Sequence, residues 1–209
     1  MARLSDSRAR IDRRARNKFE SKRTELAQAT LHTLAELGFA RTSLREIAQN
    51  SEYSHGLLHY YFADKLDLIT LAVQQYEAMY KSRYDEVLVG AAEANQLLAD
   101  FIETYLGTLA SGALMHRLWY DLRNQSLFVE PLRAGVLEIE KRREDMIWRV
   151  LSRYGELRAV APTIDPASAY VLVDGIFQRT LLHQLAGNDD AIGYARTQLA
   201  NAFVIMTVE

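Results

Sequence analysis

The chain has 209 residues, 49% of them hydrophobic, with three prolines, ten glycines and no cysteine. That suits one or two modest, mostly helical domains, and it excludes disulfides, thiolate metal sites and cysteine nucleophiles. The net charge of −2 hides an asymmetry, because residues 1–65 hold 12 Lys/Arg against 8 Asp/Glu, and residues 1–23 hold 9 against 3.

A positive end on an otherwise acidic chain orients it toward phosphate. The competing reading for Ala2 to Arg16 is a solvated, disordered tail. The arginine-rich start has no apolar segment behind it, which argues against a secretory signal. No apolar run approaches the roughly 18 residues of a membrane span. The simplest expectation is a cytoplasmic protein with no membrane partner.

A first long helix is expected over Phe19 to Leu37, with Leu26, Ala27, Thr30, Leu31, Leu34 and Ala35 on one face and Gly38 as its stop. Thr42 and Ser43 then stand just ahead of Leu44, Ile47 and Ala48, and Glu46 follows Ser43 at the capping-box distance. About two turns fit before the polar break at Asn50, Ser51 and Glu52. Ser54 opens a second short helix, with Leu58, Tyr61 and Phe62 as its apolar stripe. Asp64 is placed to cap a third, which runs from Lys65 to about Val87. Helices this short are unstable alone and must pack as a unit. The unit has the form of a helix-turn-helix with a polar outer face, the device that reads the DNA major groove.

The remaining elements also carry helical spacing: Gln96 to Leu109, Met115 to Arg123, Pro131 to Gly155, Asp165 to Leu185, and Asp190 to about Met206. Asp165-Pro166 reads as an N-cap followed by a first-turn proline. About nine helices result, with no strand pattern and no repeat, so the fold class is all-α.

The run Ile47-Ala48, then Ser54-x-Gly56-x-Leu58-x-Tyr60-x-Phe62-x-x-Lys65, resembles the DNA-binding signature of tetracycline-repressor-like (TetR family) regulators. Lys22 to Gly38 matches that family's first helix. The resemblance covers roughly the first third of the chain. Glu52 stands where the turn normally carries glycine, and a left-handed conformation there would cost on the order of 1 kcal/mol. His59 stands where tyrosine is common.

The resemblance implies three parts: a basic arm over residues 1–18, a helix-turn-helix domain over 19–65, and an effector-binding and dimerising domain over 66–209. It also implies that Thr42, Ser43, Tyr60 and Lys65 lie near phosphates, where hydroxyls, a helix N-terminus and an ammonium hold register. In the recognition helix opened by Ser54, Gly56 permits close backbone approach. His55 and His59 can donate to base or phosphate acceptors, and Leu57 can pack on a thymine methyl. His55 and His59 share a metal-like spacing, but no third ligand is nearby, so no metal site is expected.

By the same analogy, the C-terminal helices surround a cavity for a small organic effector. Its candidate lining is Phe101, Tyr105, Trp119, Tyr120, Arg123, Trp148, Tyr170, Asp174, Phe177, Gln178 and His183, an apolar wall with a few polar anchors. The plainer reading makes these aromatics ordinary core. Asp174, inside an apolar helix, needs a donor or cation, which Arg123, Arg179 or a neighbouring helix end could supply. No Gly-rich phosphate loop, nucleophile elbow or metal-ligand cluster appears, so neither catalytic residues nor a cofactor are expected. The expected protein is a homodimeric, ligand-responsive regulator bound to a palindromic double-stranded operator, with a helical interaction module or an effector-less regulator as the alternative.

Overall fold

In the computed structural model, backbone is described for residues 2–208 and side chains for residues 13–76 and 84–208. Among the described residues the elements are α1 (Ala2–Leu37), α2 (Leu44–Gln49), α3 (His55–Tyr61), α4 (Lys65–Gly90) and α5 (Ala94–Gln125). A 3-10 turn (Glu130–Leu132), α6 (Arg133–Arg158), α7 (Pro166–Leu185) and α8 (Ala191–Ile205) complete them. They form two compact units, residues 1–76 and 77–209. No helix among the described residues is long and apolar enough to cross a membrane.

In the first unit, α1, α2 and α3 close around Leu26, Leu34, Ile47, Leu58 and Phe62, with Leu68 and Ile69 of α4 also fully buried. Gly38 ends α1 at φ +72, a left-handed value that glycine adopts without steric penalty. Thr33 Oγ1 donates to Asn50 O at 3.1 Å and so ties α1 to the end of α2. Asp64 caps α4, accepting from the Asp67 amide at 3.0 Å. Asp67 in turn pairs with Arg23 of α1.

Three expectations need correction here. α1 begins at Ala2 instead of Phe19, since residues 2–18 contain neither Gly nor Pro and are rich in Arg and Ala, which favour helix. Glu52 is not left-handed, because Ala159 is the one non-glycine residue with positive φ among those described. The turn between α2 and α3 therefore holds no such strain. The two helices expected over residues 96–123 are one run, α5, bent at Gly112 (φ −139, ψ 24).

The second unit packs α5, α6, α7 and α8 on one another. Phe101, Leu109, Ile147, Leu151, Val173, Phe177 and Phe203 are buried at their common centre. α7 starts as expected, with Asp165 accepting from the Ser168 amide at 3.0 Å and Pro166 in the first turn. α6 passes through Gly155, which was the expected stop, and ends at Arg158 with Ala159 left-handed. Gly155 serves packing instead. A Cβ there would lie 2.5 Å from Val160 O, so only glycine lets the chain turn back this closely.

Candidate functional site

The outer face of the first unit is built by two caps. Ser43 Oγ accepts from the Glu46 amide at 3.1 Å, which fixes the start of α2. Ser54 Oγ accepts from the Leu57 amide at 3.2 Å and does the same for α3. Both satisfy an otherwise orphaned N–H at a helix start.

With Leu58 buried beneath it, α3 turns Ser54, His55, Gly56, His59 and Tyr60 outward, and Leu57 is half-buried beside them. The rings of His55 and His59 meet edge-on at 4.4 Å and form one donor-bearing surface. A Cβ at Gly56 would meet nothing within 4 Å in the free protein, so the residue leaves the helix surface low where a duplex could approach. Tyr60 is 70% exposed, and its ring is held from one side by Phe19 at 5.9 Å.

Two of the expected phosphate contacts sit differently. Thr42 is 3% exposed, and its hydroxyl donates to Gly38 O at 2.5 Å. That bond serves the bend between α1 and α2. Lys65 donates to Phe39 O at 3.0 Å, with its ammonium 4.1 Å from the centre of the Phe39 ring. The geometry fastens the start of α4 to the end of α1. These contacts draw on the same residue types that the motif suggests, in a structural role that spacing alone does not reveal.

In the second unit, Asp174 of α7 is 3% exposed. Tyr120 Oη donates to its Oδ1 at 2.9 Å, and Arg123 Nη1 donates to its Oδ2 at 2.5 Å. Arg123 Nε also reaches Glu140 at 2.7 Å, linking α5, α6 and α7 through one guanidinium. The expectation that Asp174 needs a cation holds, and Arg123 is that cation. Burial, with the Asp174 charge adding to it, raises the Tyr120 phenol. Tyr170 is raised for the same two reasons.

Phe101 and Tyr105 stack at 5.3 Å, and Phe177 meets Tyr105 at 4.6 Å. Arg143 lies over the Trp119 ring at 4.4 Å. His116, absent from the expected lining, is buried in the same cluster with Nε2 3.0 Å from Thr108 Oγ1. Burial, with Arg143 nearby, pushes its pKa down to about 3. A lone histidine beside Arg117 gave no signal for this.

Trp148 is half-buried on α6. Gln178 is exposed and does not join the cluster, because one residue after Phe177 the helix has turned about 100° away. His183 lies with Arg179, Thr180, Asn188, Asp190 and Tyr194 around an open pocket of about 270 Å³ where α7 meets α8. The expected lining thus divides into a buried cluster and an outer group.

A family model described as "Bacterial regulatory proteins, tetR family" matches residues 26–71, the stretch from the buried face of α1 to the start of α4. Residues 26–71 thus carry the signature of the tetR family. A curated relative, the HTH-type transcriptional regulator BetI of Paraburkholderia phytofirmans, is 28% identical over 119 residues, covering 54% of this chain and 59% of that protein. The match therefore spans less than two thirds of the relative's length.

Solved structures share the fold over more of the chain. A transcriptional regulator from Saccharomonospora viridis in complex with choline superposes with a TM-score of 0.73 at 18% identity, covering 91% of this chain and 99% of that one. A TetR transcription regulator from Haloarcula marismortui gives 0.72 at 18% identity, covering 90% and 100%. FadR from Bacillus subtilis, in complex with stearoyl-CoA, gives 0.69 at 20% identity, covering 85% and 96%. Beyond the tetR-type head, the second unit thus shares the all-helical fold of these regulators.

Proposed function

We propose that this chain is a homodimeric transcriptional regulator of the tetR family and not an enzyme, acting as a repressor released from a palindromic operator by a small organic effector. The observation that carries the reading is the outward face of α3, where Ser54, His55, Gly56, Leu57, His59 and Tyr60 stand over a buried Leu58. Ser43, at the start of α2, supplies a phosphate contact through its helix N-terminus, and Tyr60 a second. Lys65 and Thr42 support this face from within.

The test is selection of bound duplexes from a random pool, followed by affinity measurement across salt concentrations. The expected result is one enriched palindrome, bound with a steep loss of affinity as salt rises. His55→Ala should change which bases are preferred, whereas Tyr60→Ala should weaken all duplexes alike. A chain that enriches no sequence would refute the reading.

Effector response draws support from the Tyr120–Arg123–Asp174 cluster and from the two neighbours crystallised with small molecules, choline in one and stearoyl-CoA in the other. A second reading, a regulator without a small effector, is favoured by the mutual contacts of Phe101, Tyr105 and Phe177, rings that act as core in this structure. Thermal shift with choline and with an acyl-CoA separates the two. A rise in melting temperature with either, accompanied by weaker operator binding, supports an effector.

A further inference from the structure

We propose that the N-terminal extension of α1 is a second DNA contact, a preformed helical arm that lies along phosphates flanking the half-site read by α3. The inference rests on the DNA-binding reading and extends it. Residues 2–18 add about 25 Å of helix ahead of Phe19 at 1.5 Å per residue.

Phe19 is the joint. Its ring meets Tyr60 at 5.9 Å and Tyr61 at 4.8 Å, and these are the last two residues of α3. The arm therefore leaves the head at the end of the recognition helix. Arg16 stands one turn before Phe19 on the same face of α1.

The cations of α1 divide sharply at this joint. Behind it, Lys22 pairs with Glu25, and Arg23 pairs with Glu20 and Asp67. Ahead of it, Arg13, Arg14, Arg16 and Lys18 are exposed, and none pairs with a carboxylate among the described residues. Residues 1–18 carry seven Lys/Arg against two Asp. Lys22 and Arg23 are occupied in holding α1 to itself and to α4, while Arg13, Arg14, Arg16 and Lys18 of the arm face solvent.

A helix also holds these charges in fixed positions, so less ordering accompanies binding than for a disordered tail. An anionic lipid surface fits less well. Leu4 and Ile11 are the only aliphatic residues larger than alanine between Ala2 and Lys18, too few for the apolar face with which a surface helix enters a bilayer.

The experiment uses the full chain and its Arg13→Ala/Arg14→Ala/Arg16→Ala variant, on the enriched operator and on a random duplex of equal length. Alanine keeps helix propensity, and circular dichroism checks the fold. Each lost phosphate contact should lower the slope of log affinity against log salt by about 0.9, which is about 2.7 per protomer, or about 5.4 for a dimer on a full operator, if all three arginines of each arm make contacts. Affinity should fall by the same factor on both duplexes, leaving their ratio unchanged.

A Lys141→Ala/Arg142→Ala control, which removes exposed charge from α6, should leave the slope as it was. An unchanged slope in the arm variant overturns the proposal, and so does an equal loss in the control, which would assign the effect to overall charge. The two readings fail separately. A parent chain without salt-dependent binding to any duplex refutes DNA binding itself, whereas a binding parent matched by its arm variant refutes only the arm.

Discussion

Asp174 has almost no exposed surface, and both of its carboxylate oxygens are taken, one by the Tyr120 phenol and one by the Arg123 guanidinium. Removing it leaves a buried hydroxyl and a half-buried cation short of an acceptor. Asp174→Ala is therefore expected to destabilise the protein by about 3 kcal/mol in urea denaturation. A loss under about 1 kcal/mol would mean that Glu140 alone satisfies Arg123. The need for a partner was legible in the sequence, because a carboxylate inside an apolar helix demands one. The partner was not, since Arg123 and Arg179 are both within reach of the pattern and only packing puts Arg179 outward, beside Tyr194. Gln178 was misplaced for a simpler reason. The buried residues of α7 include Tyr170, Val173, Asp174, Phe177 and Leu181, and that stripe leaves position 178 facing solvent. Glu52→Gly bears on the turn between α2 and α3. With no left-handed residue to relieve, the substitution should lower stability by about 0.5–1 kcal/mol through the greater freedom of the unfolded chain, a change measurable by chemical denaturation.

The bend in α5 shows how an element can be read correctly in content and wrongly in continuity. The small residues Ala110, Ser111, Gly112 and Ala113 weaken helical periodicity enough to suggest a gap, yet Gly112 only tilts the helix. His116 and Thr108 lie on either side of Gly112 and meet at 3.0 Å. The Thr108 hydroxyl donates to Tyr105 O, so it accepts from His116 Nε2–H, and the neutral imidazole braces the bend. The pKa of His116 in the fold, about 3, lies below its ordinary 6.5. Above pH 6.5 neither folded nor unfolded chain is protonated there, and the contribution to stability is full. As pH falls from 6.5 toward 3, the unfolded chain takes up a proton that the folded one refuses. Stability is then lost at up to about 1.4 kcal/mol per pH unit. His116→Gln should flatten this dependence between pH 6.5 and 4 relative to the parent, since the carboxylates contribute equally to both proteins. Parallel stability curves for the two would show that protonation of His116 does not drive the loss.

At the scale of the molecule, the charge asymmetry and the short capped helices made the first unit legible, because its motif is local and dense. Its boundary was less so. The division after residue 76 falls inside α4, where the helix runs on without a break in composition. Assembly is the remaining question at this scale, and it follows from the outer surfaces of α7 and α8. Val171 (62% exposed), Leu182 (66%), Tyr194 (61%) and Ile205 (68%) are large apolar side chains left in solvent, joined by Leu172, Leu185, Val204 and Val208. Clusters of this kind mark association sites in folded proteins. Pairing α7 and α8 with their copies about a two-fold axis would bury them in a four-helix interface. Under the proposed function one head would read half of a palindrome, so a dimer would match the operator's symmetry. Leu182→Glu, alone or with Ile205→Glu, places carboxylates where two copies would meet while leaving the buried stripe of α7 untouched. The expected outcome in sedimentation at micromolar concentration is a shift from dimer to monomer with unchanged circular dichroism. Affinity for a full palindrome should fall to that for a half-site, because the second head no longer binds as part of the same molecule. A variant that remains dimeric, or a parent that sediments as a monomer, would place the interface elsewhere or remove it.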